Sequence, residues 1–221
     1  FYEKVYPLLK QYQYPAVVAV VVGWVDSLPP GDVGKLVNWK QLKEMQDSGL
    51  VEVASHSYNM HRRGIVNPQG DGAIVGEVRL FDGKRYESEA AYRARLAYDF
   101  NQAQTAFTRE LGHPGRTLVW PYGGYTEQAL EVAHAAGFEV ALGLGGGANR
   151  MSERSLSEGK RNMVYGNPDA AAFGKFVKSR LADWRLRPMR MAQVDLDQIY
   201  DKDARQMEEN LRQLIERLSA S

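Results

Sequence analysis

The sequence contains no cysteine, which excludes disulfide bonds and every metal site built on thiolate ligands. This absence does not indicate a compartment, because a chain without cysteine suits reducing and oxidising surroundings equally. An excess of one charge is also lacking, since 28 Lys and Arg residues against 27 Asp and Glu residues leave a net charge of +1. A near-neutral chain is a poor match for nucleic acid, so no nucleic-acid partner is expected. The longest apolar run, residues 16–22, is too short to cross a bilayer.

Patterns typical of strands and helices alternate along the 221 residues, a length that suits one large domain. The alternation predicts an α/β fold with a parallel sheet, which is either open and doubly wound or curled into a (β/α) barrel. In both architectures the functional site lies at the carboxyl ends of the strands. The predicted strands are 16–22, 51–54, 117–120, 139–142, 161–165 and 189–196. The predicted helices are 1–12, 39–48, 88–111, 126–136, 168–181 and 207–218. Residues 57–87 are predicted to form a long loop.

Two of the four histidines, His56 and His61, lie five residues apart in a polar loop directly after a predicted strand. Neutral imidazoles that converge from a loop can hold a catalytic divalent metal, usually with a carboxylate as the third ligand. In the alternative interpretation one histidine bonds a turn and the other is solvated, but the position after a strand favours the metal. Candidate third ligands are Asp26, Asp195 and Asp197, each a weak candidate because aspartate commonly closes strands and starts turns.

A second unusual loop, residues 120–125, follows another predicted strand and therefore lies on the same rim as the histidines. It is either a turn with buried aromatic side chains, or a rigid lip whose backbone N–H groups face a developing oxyanion while its rings line a sugar site. Residues 143–148 match the dinucleotide pattern G-x-G-x-x-G/A, but 149–160 lack the apolar stripe of the helix that such a site requires. We interpret that segment as a loop beside the site, and His113 and His134 as structural.

Four blocks of sequence carry a resemblance to a known family: ASHSYNMH at 54–61, RYE at 85–87, VWPYG at 119–123 and VDLDQIYD at 194–201. In this order they resemble the polysaccharide deacetylases of carbohydrate esterase family 4, which share the NodB-homology domain. Within the family, the chain looks most like the bacterial biofilm subgroup that N-deacetylates poly-β-1,6-N-acetyl-D-glucosamine. The resemblance covers nearly the whole chain and implies a distorted (β/α) barrel of the NodB type.

The resemblance implies a divalent metal (zinc, nickel, cobalt or iron) held by His56, His61 and an aspartate. A neighbouring aspartate would act as general base and a separate histidine as general acid. The backbone of Tyr122 matches the family's oxyanion contact. The implied substrate contacts are Trp120 and Pro121, which shape the groove, and Tyr58 and Tyr125, which offer rings for stacking on sugars together with those of Trp120 and Tyr122.

The sequence departs from the general family pattern in three respects. The histidine spacing is one residue longer than usual, as suits the biofilm subgroup. Val119 replaces the arginine that usually orients the base. The block with the base and the third metal ligand is expected upstream of Phe1, with the acid histidine further upstream still. The implied domains are an N-terminally incomplete deacetylase domain, 1–189, and a linker or the start of a second, glycoside-hydrolase-like domain, 190–221.

The resemblance therefore implies N-deacetylation of poly-β-1,6-N-acetyl-D-glucosamine during export of a biofilm polysaccharide. It further implies a polysaccharide as substrate, a monomer, a periplasmic and outer-membrane-associated location, and an outer-membrane export porin as partner. Two alternatives stay open at this point. One is a glycan-binding domain on a deacetylase scaffold with little or no turnover, which Val119 and the long loop at 57–87 favour. The other is a metallohydrolase that acts on something other than sugars.

Overall fold

The computed structural model describes residues 1–27, 36–145, 149 and 157–181, and in this part of the chain strands and helices alternate as predicted. The strands are β1 (Ala16–Val20), β2 (Val51–Ser55), β3 (Arg63–Ile65), β4 (Gly72–Ile74), β5 (Thr117–Val119), β6 (Val140–Leu144) and β7 (Gly159–Arg161). The helices are α1 (Tyr6–Tyr12), α2 (Val22–Asp26), α3 (Trp39–Asp47), α4 (Glu89–Leu111), α5 (Glu127–Ala135) and α6 (Ala170–Leu181).

Five of the strands form one parallel sheet in the order β1-β2-β5-β6-β7, and β3 and β4 form a separate antiparallel hairpin. The order in the sheet follows the order in the chain, so each new strand is added on the same side. A doubly wound sheet reverses its strand order at a switch point, whereas a (β/α) barrel does not. The described strands therefore wind as in a barrel, and the predicted parallel α/β fold is confirmed.

Most predicted elements agree with the structure to within a few residues, and three differ from it. The segment predicted as one loop, 57–87, contains the β3–β4 hairpin, and the short helix α2 directly after β1 had no sequence signal. The strand predicted at 161–165 is β7 at Gly159–Arg161 instead. The elements predicted at 189–196 and 207–218 lie outside the described residues. None of the helices in the described part of the chain combines the length and the hydropathy that a membrane crossing needs.

Helix α4 has the clearest sequence signal and, among the described helices, the largest number of buried residues. The Ser88 hydroxyl caps its first turn by accepting the N–H of Ala91 (3.1 Å), and Gly112, at a φ of 90°, ends it. Its predicted apolar stripe is buried, with members Tyr92, Leu96, Phe100, Ala103, Phe107 and Leu111. One charged residue, Asp99, shares this buried face.

The irregular segment after β4 is attached to α4 by the ion pair of Arg95 with Glu87 and by the Tyr92 hydroxyl, which donates to the Gly76 carbonyl (2.8 Å). Two guanidinium nitrogens of Arg95 donate to the Glu87 carboxylate (2.9 and 2.8 Å), and the same side chain donates to the carbonyls of Val75 (2.8 Å) and Val78 (3.0 Å). The Glu87 carboxylate also accepts the N–H of Leu80 (3.2 Å). The two side chains are only 22 and 14 % exposed. This network fixes residues 75–87 against the helix.

Arg95→Met is expected to lower the free energy of unfolding by about 2 kcal/mol, because it removes the guanidinium donors of a mostly buried carboxylate and of two carbonyls. Urea unfolding at pH 7 measures the loss. The control is Arg93→Met on the same helix, whose ion pairs with Glu89 and Glu131 are exposed, so that about 0.5 kcal/mol or less is expected. Equal losses in the two variants would contradict the role given to Arg95.

The same pair predicts a pH dependence. Partial burial works to raise the pKa of Glu87, but the hydrogen bonds from Arg95 and from the Leu80 N–H outweigh it, so the pKa lies below 4.5 in the folded protein. A lowered folded-state pKa contributes stability that is complete above pH 4.5 and is lost as the pH falls through the folded-state value. The difference in stability between wild type and Arg95→Met is therefore expected to shrink between pH 5 and pH 3, and a constant difference would contradict the assignment.

Candidate functional site

The structure brings together the two loops that the sequence places on one rim. His56 directly follows β2, and the turn with Tyr122 follows β5. These strands are neighbours in the sheet, joined at their carboxyl ends by the pair Ser55 and Leu118. The ring centroids of His56 and His61 lie 5.0 Å apart, and the Tyr122 ring stacks on His61 at 4.4 Å. Three of the predicted site residues thus form one cluster.

The His56 side chain has a fixed orientation and a fixed protonation state. Its Nδ1 lies 2.6 Å from the carbonyl oxygen of Val119, which can only accept, so Nδ1 carries the proton. The other nitrogen, Nε2, then presents its lone pair. Burial, helped by the charges of His61 and Arg161, lowers the pKa of His56 to about 3, although the hydrogen bond to Val119 acts in the opposite direction. A neutral imidazole anchored through its second nitrogen is the form in which histidine binds metals.

The segment between the histidines is held by the backbone of the element after β1. The N–H groups of Val22 and Gly23, in the first turn of α2, donate to the carbonyls of Ser57 and Tyr58 (2.9 Å each). A Cβ atom added to Gly23 would lie 2.8 Å from the Tyr58 carbonyl oxygen, so only glycine allows this close approach. Ser57 has a φ of 69°, and its hydroxyl accepts the N–H of Met60 (2.9 Å).

A buried carboxylate, Asp99 of α4, holds the same segment from its other side. Its two oxygens accept the N–H groups of Tyr58 (2.7 Å) and Asn59 (2.8 Å). The side chain is 7 % exposed. Sequence reasoning missed this residue, although a signal was present: Asp99 lies at helical spacing between Leu96 and Ala103, where the rest of the stripe is apolar. An ionisable residue on a buried helix face requires a polar partner.

The turn at 120–123 gives Tyr122 an unusual backbone conformation. The carbonyl of Trp120 accepts the N–H of Gly123 (3.0 Å), which closes the turn, and also Nη2 of Arg161 (2.7 Å). Tyr122 has a φ of 56° at the third position, the region that glycine prefers there. The closing bond uses the N–H of Gly123, so the turn itself does not use the N–H of Tyr122. Arg161, at the end of β7, is 6 % exposed and was also missed by sequence reasoning.

The aromatic side chains of the rim divide into buried and accessible ones. Trp120 is fully buried, stacked on Tyr125 at 5.1 Å, and Pro121 is buried too, so the direct sugar contact predicted for these two is not compatible with the structure. Both support the turn from inside the core. Tyr122 is 44 % exposed. Tyr58 and Tyr125 are half-buried, and so is Trp24, which meets the His61 ring edge-on at 5.5 Å and had no sequence signal.

The two histidines fit a metal, but the described residues supply only part of its ligand set. Among them, no group of three His, Asp, Glu or Cys side chains is placed to hold an ion. Asp26 is engaged elsewhere, since its carboxylate accepts Nε1 of Trp39 (2.7 Å) and pairs with Arg109 (3.4 Å). The other predicted carboxylates, Asp195 and Asp197, lie outside the described residues.

The remaining predictions concern residues that do not join the site. His113 and His134 contact backbone carbonyls, those of Pro114 (2.8 Å) and Phe138 (2.7 Å), as the structural interpretation expects. The glycine-rich segment that follows Gly145 lies mostly outside the described residues. Gly143 is packed within β6, where an added Cβ would lie 2.7 Å from the Tyr125 ring.

Comparison with known proteins finds matches that are described as deacetylases of polysaccharides. A sequence profile described as polysaccharide deacetylase matches residues 1–141. A protein of Escherichia coli K12 named poly-beta-1,6-N-acetyl-D-glucosamine N-deacetylase is 31% identical over 99% of this chain and 33% of its own length. The chain thus spans about a third of the length of that curated relative.

Solved structures agree with these sequence matches. The BpsB deacetylase domain from Bordetella bronchiseptica superposes with a TM-score of 0.66 at 37% identity, over 74% of this chain and 66% of that one. A de-N-acetylase from Aggregatibacter actinomycetemcomitans superposes with a TM-score of 0.61 at 38% identity, over 65% of this chain and 58% of that one.

Proposed function

The chain belongs to the polysaccharide deacetylase family, whose members hydrolyse amide bonds, and from this premise we propose that it removes acetyl groups from poly-β-1,6-N-acetyl-D-glucosamine. Relatives at 31 to 38% identity carry names of N-deacetylases and deacetylases, which supports this reaction and, in the curated relative, this polymer. The observation that carries the proposal is the cluster of His56, His61 and the Tyr122 turn at the carboxyl ends of β2 and β5.

The two histidines would hold a divalent metal, together with an aspartate that we propose lies upstream of Phe1. When bound in such a site, a divalent metal lowers the pKa of water and polarises a carbonyl group. The chain's own contribution is to present Nε2 of His56 unprotonated, which the bond from Nδ1 to Val119 and the lowered pKa both secure. The Val119 carbonyl thereby fixes the orientation of the His56 ring in the metal-free protein.

We propose that the Tyr122 N–H donates to the oxygen of the acetamide as negative charge develops on it. The turn is rigid because the Trp120 carbonyl is held by both Gly123 and Arg161, so the donor needs no reorganisation during the reaction. The exposed ring of Tyr122 and the half-buried rings of Tyr58 and Tyr125 are the proposed sugar contacts. We add the ring of Trp24 to these proposed sugar contacts, because it lies beside His61.

The general base and the general acid are proposed to lie upstream of Phe1, as in the family. Several further proposals rest on the resemblance alone. They are a role in biofilm export, a periplasmic and outer-membrane location, a porin partner, a monomeric state, and a linker or the start of a second domain at 190–221. Zinc, nickel, cobalt and iron all suit imidazole and carboxylate ligands.

Acetate release from N-acetylglucosamine oligomers by the full-length protein tests the proposal. Release is expected to fall to background after treatment with a chelator and to return when a divalent metal is added back. Release that a chelator does not affect would overturn the metal site. Oligomer binding without acetate release would instead favour the glycan-binding alternative, which the replacement of the family's arginine by Val119 motivates.

A further inference from the structure

We infer that Asp99 is a positioning residue for the two histidines, because its carboxylate fixes the backbone of the segment between them. This inference rests on the proposed function, since it concerns the ligands of the same site. Asp99 does not touch the imidazoles. It acts through the N–H groups of Tyr58 and Asn59, which are the central peptide groups between His56 and His61.

The geometry of the contact is specific to a carboxylate. Each oxygen accepts one backbone N–H, at 2.7 and 2.8 Å, so the two successive peptide groups are held at the same time. An asparagine at this position would offer one accepting oxygen and would turn an NH₂ group towards the other N–H. The charge also matters, because hydrogen bonds to an ionised acceptor are roughly twice as strong as neutral ones.

The platform that carries Asp99 is rigid. Its neighbours on the buried face of α4, Leu96, Phe100 and Ala103, are all fully buried. Interiors packed at such density transmit small displacements instead of absorbing them. The position of α4 therefore determines where the Tyr58 and Asn59 peptide groups lie. These peptide groups in turn set the position of the backbone that leads to His61.

The opposite side of the segment is held by α2, as described above, through the carbonyls of Ser57 and Tyr58. The peptide groups thus donate to α4 on one side and accept from α2 on the other. His56 has its own anchors, its N–H on the Val20 carbonyl (2.7 Å) and its ring on Val119. His61 lies beyond the clamped peptides, so it depends more on Asp99 than His56 does.

A buried carboxylate on an apolar helix face is costly, and this cost supports a specific role. Desolvation raises the pKa of Asp99 to about 6, against the two backbone hydrogen bonds and the charges of Arg62 and Arg95, which lower it. The group is therefore ionised at neutral pH, where its two hydrogen bonds are charge-assisted. An apolar residue would suit the helix face better but would orphan two N–H groups of the ligand segment.

The test compares Asp99→Asn and Asp99→Glu with wild type in the full-length protein. Hydrogen exchange of the metal-free protein is expected to show at least tenfold faster exchange at the Tyr58 and Asn59 amides in Asp99→Asn, with the amides of β5 and β6 unchanged. The affinity for zinc, added as zinc chloride, is expected to fall about 10- to 100-fold, the usual effect of removing a group that orients a ligand. Acetate release is expected to lose kcat at an unchanged KM. Asp99→Glu keeps the charge, so its amide exchange, zinc affinity and kcat are expected to lie between those of wild type and Asp99→Asn.

Leu111→Ala, at the far end of α4, is the control for a general loss of stability. It is expected to destabilise the fold while leaving zinc affinity and the two amides as in wild type. Wild-type zinc affinity and unchanged amide exchange in Asp99→Asn would overturn the inference. An equal loss of zinc affinity in Leu111→Ala would also overturn it, since the effect would then not belong to Asp99.

The outcome separates this inference from the proposed function. A wild-type protein that binds zinc but releases no acetate would overturn only the proposed activity, and the zinc affinities of the variants would still decide for or against Asp99. A wild-type protein that binds none of zinc, nickel, cobalt and iron would overturn the metal site and this role together.

Discussion

Replacing His56 with alanine is expected to lower the rate of acetate release by about 1000-fold. The reason is that a metal supplies several kcal/mol of transition-state stabilisation, and each factor of ten in rate corresponds to about 1.4 kcal/mol. The lowered pKa of His56 keeps the imidazole neutral from pH 5 to 8, so protons do not compete for Nε2 in this range. The measurement is kcat/KM for acetate release, together with the affinity for zinc.

His113→Ala is the matched control for this variant. His113 precedes β5, at the opposite end of that strand from the site, and its ring bonds the carbonyl of Pro114. Its removal is expected to leave both zinc affinity and acetate release unchanged. If His56→Ala retained more than about a tenth of wild-type kcat/KM, the assignment of His56 as a metal ligand would be wrong.

Replacing Trp120 with alanine is expected to have the largest effect on stability, a loss of about 3 to 5 kcal/mol in the free energy of unfolding. Trp120 is fully buried, stacks on Tyr125 at 5.1 Å and meets the Phe100 ring edge-on at 5.8 Å. Truncation leaves a cavity directly beneath the turn that carries Tyr122. Urea unfolding measures the loss, and Tyr98→Ala, on the exposed side of α4, is expected to cost about 0.5 kcal/mol or less.

Trp120→Phe distinguishes a core residue from a sugar contact. In the part of the chain that the structure describes, the buried Nε1 of Trp120 has no hydrogen-bond partner, so phenylalanine removes a costly group along with some volume. We expect a smaller loss of stability than in Trp120→Ala, and an unchanged KM for oligomers. A KM raised severalfold with stability retained would show that Trp120 contacts the sugar after all, as the sequence suggested.

The periodicity of the sequence was sufficient for the fold class, because each element has a local signal. The stripe of α4 and the β-branched run of β1 predict a helix and a buried strand without reference to the rest of the chain. The rule that parallel strands place their carboxyl ends on one rim then brings the histidine loop and the Tyr122 turn together. These steps need only residue types and spacing.

The tertiary structure alone decided how the strands wind and which aromatic residues are covered. Trp120 and Tyr122 are two residues apart in a sequence block rich in rings, yet one is fully buried and the other 44 % exposed. No local pattern distinguishes them, because burial depends on which distant segments cover each side chain. Here Phe100 and Tyr125 cover Trp120.

The supporting residues of the site were also beyond the reach of sequence patterns. Asp99 bonds a peptide 41 residues earlier in the chain, and Arg161 bonds a carbonyl 41 residues before it. The sequence by itself determined the family, the histidine pair and the rim where they lie, since these follow from residue type and local spacing. Only the folded chain decided which carboxylate and which guanidinium hold that rim in place, because a hydrogen bond forms between neighbours in space and leaves no period in the sequence.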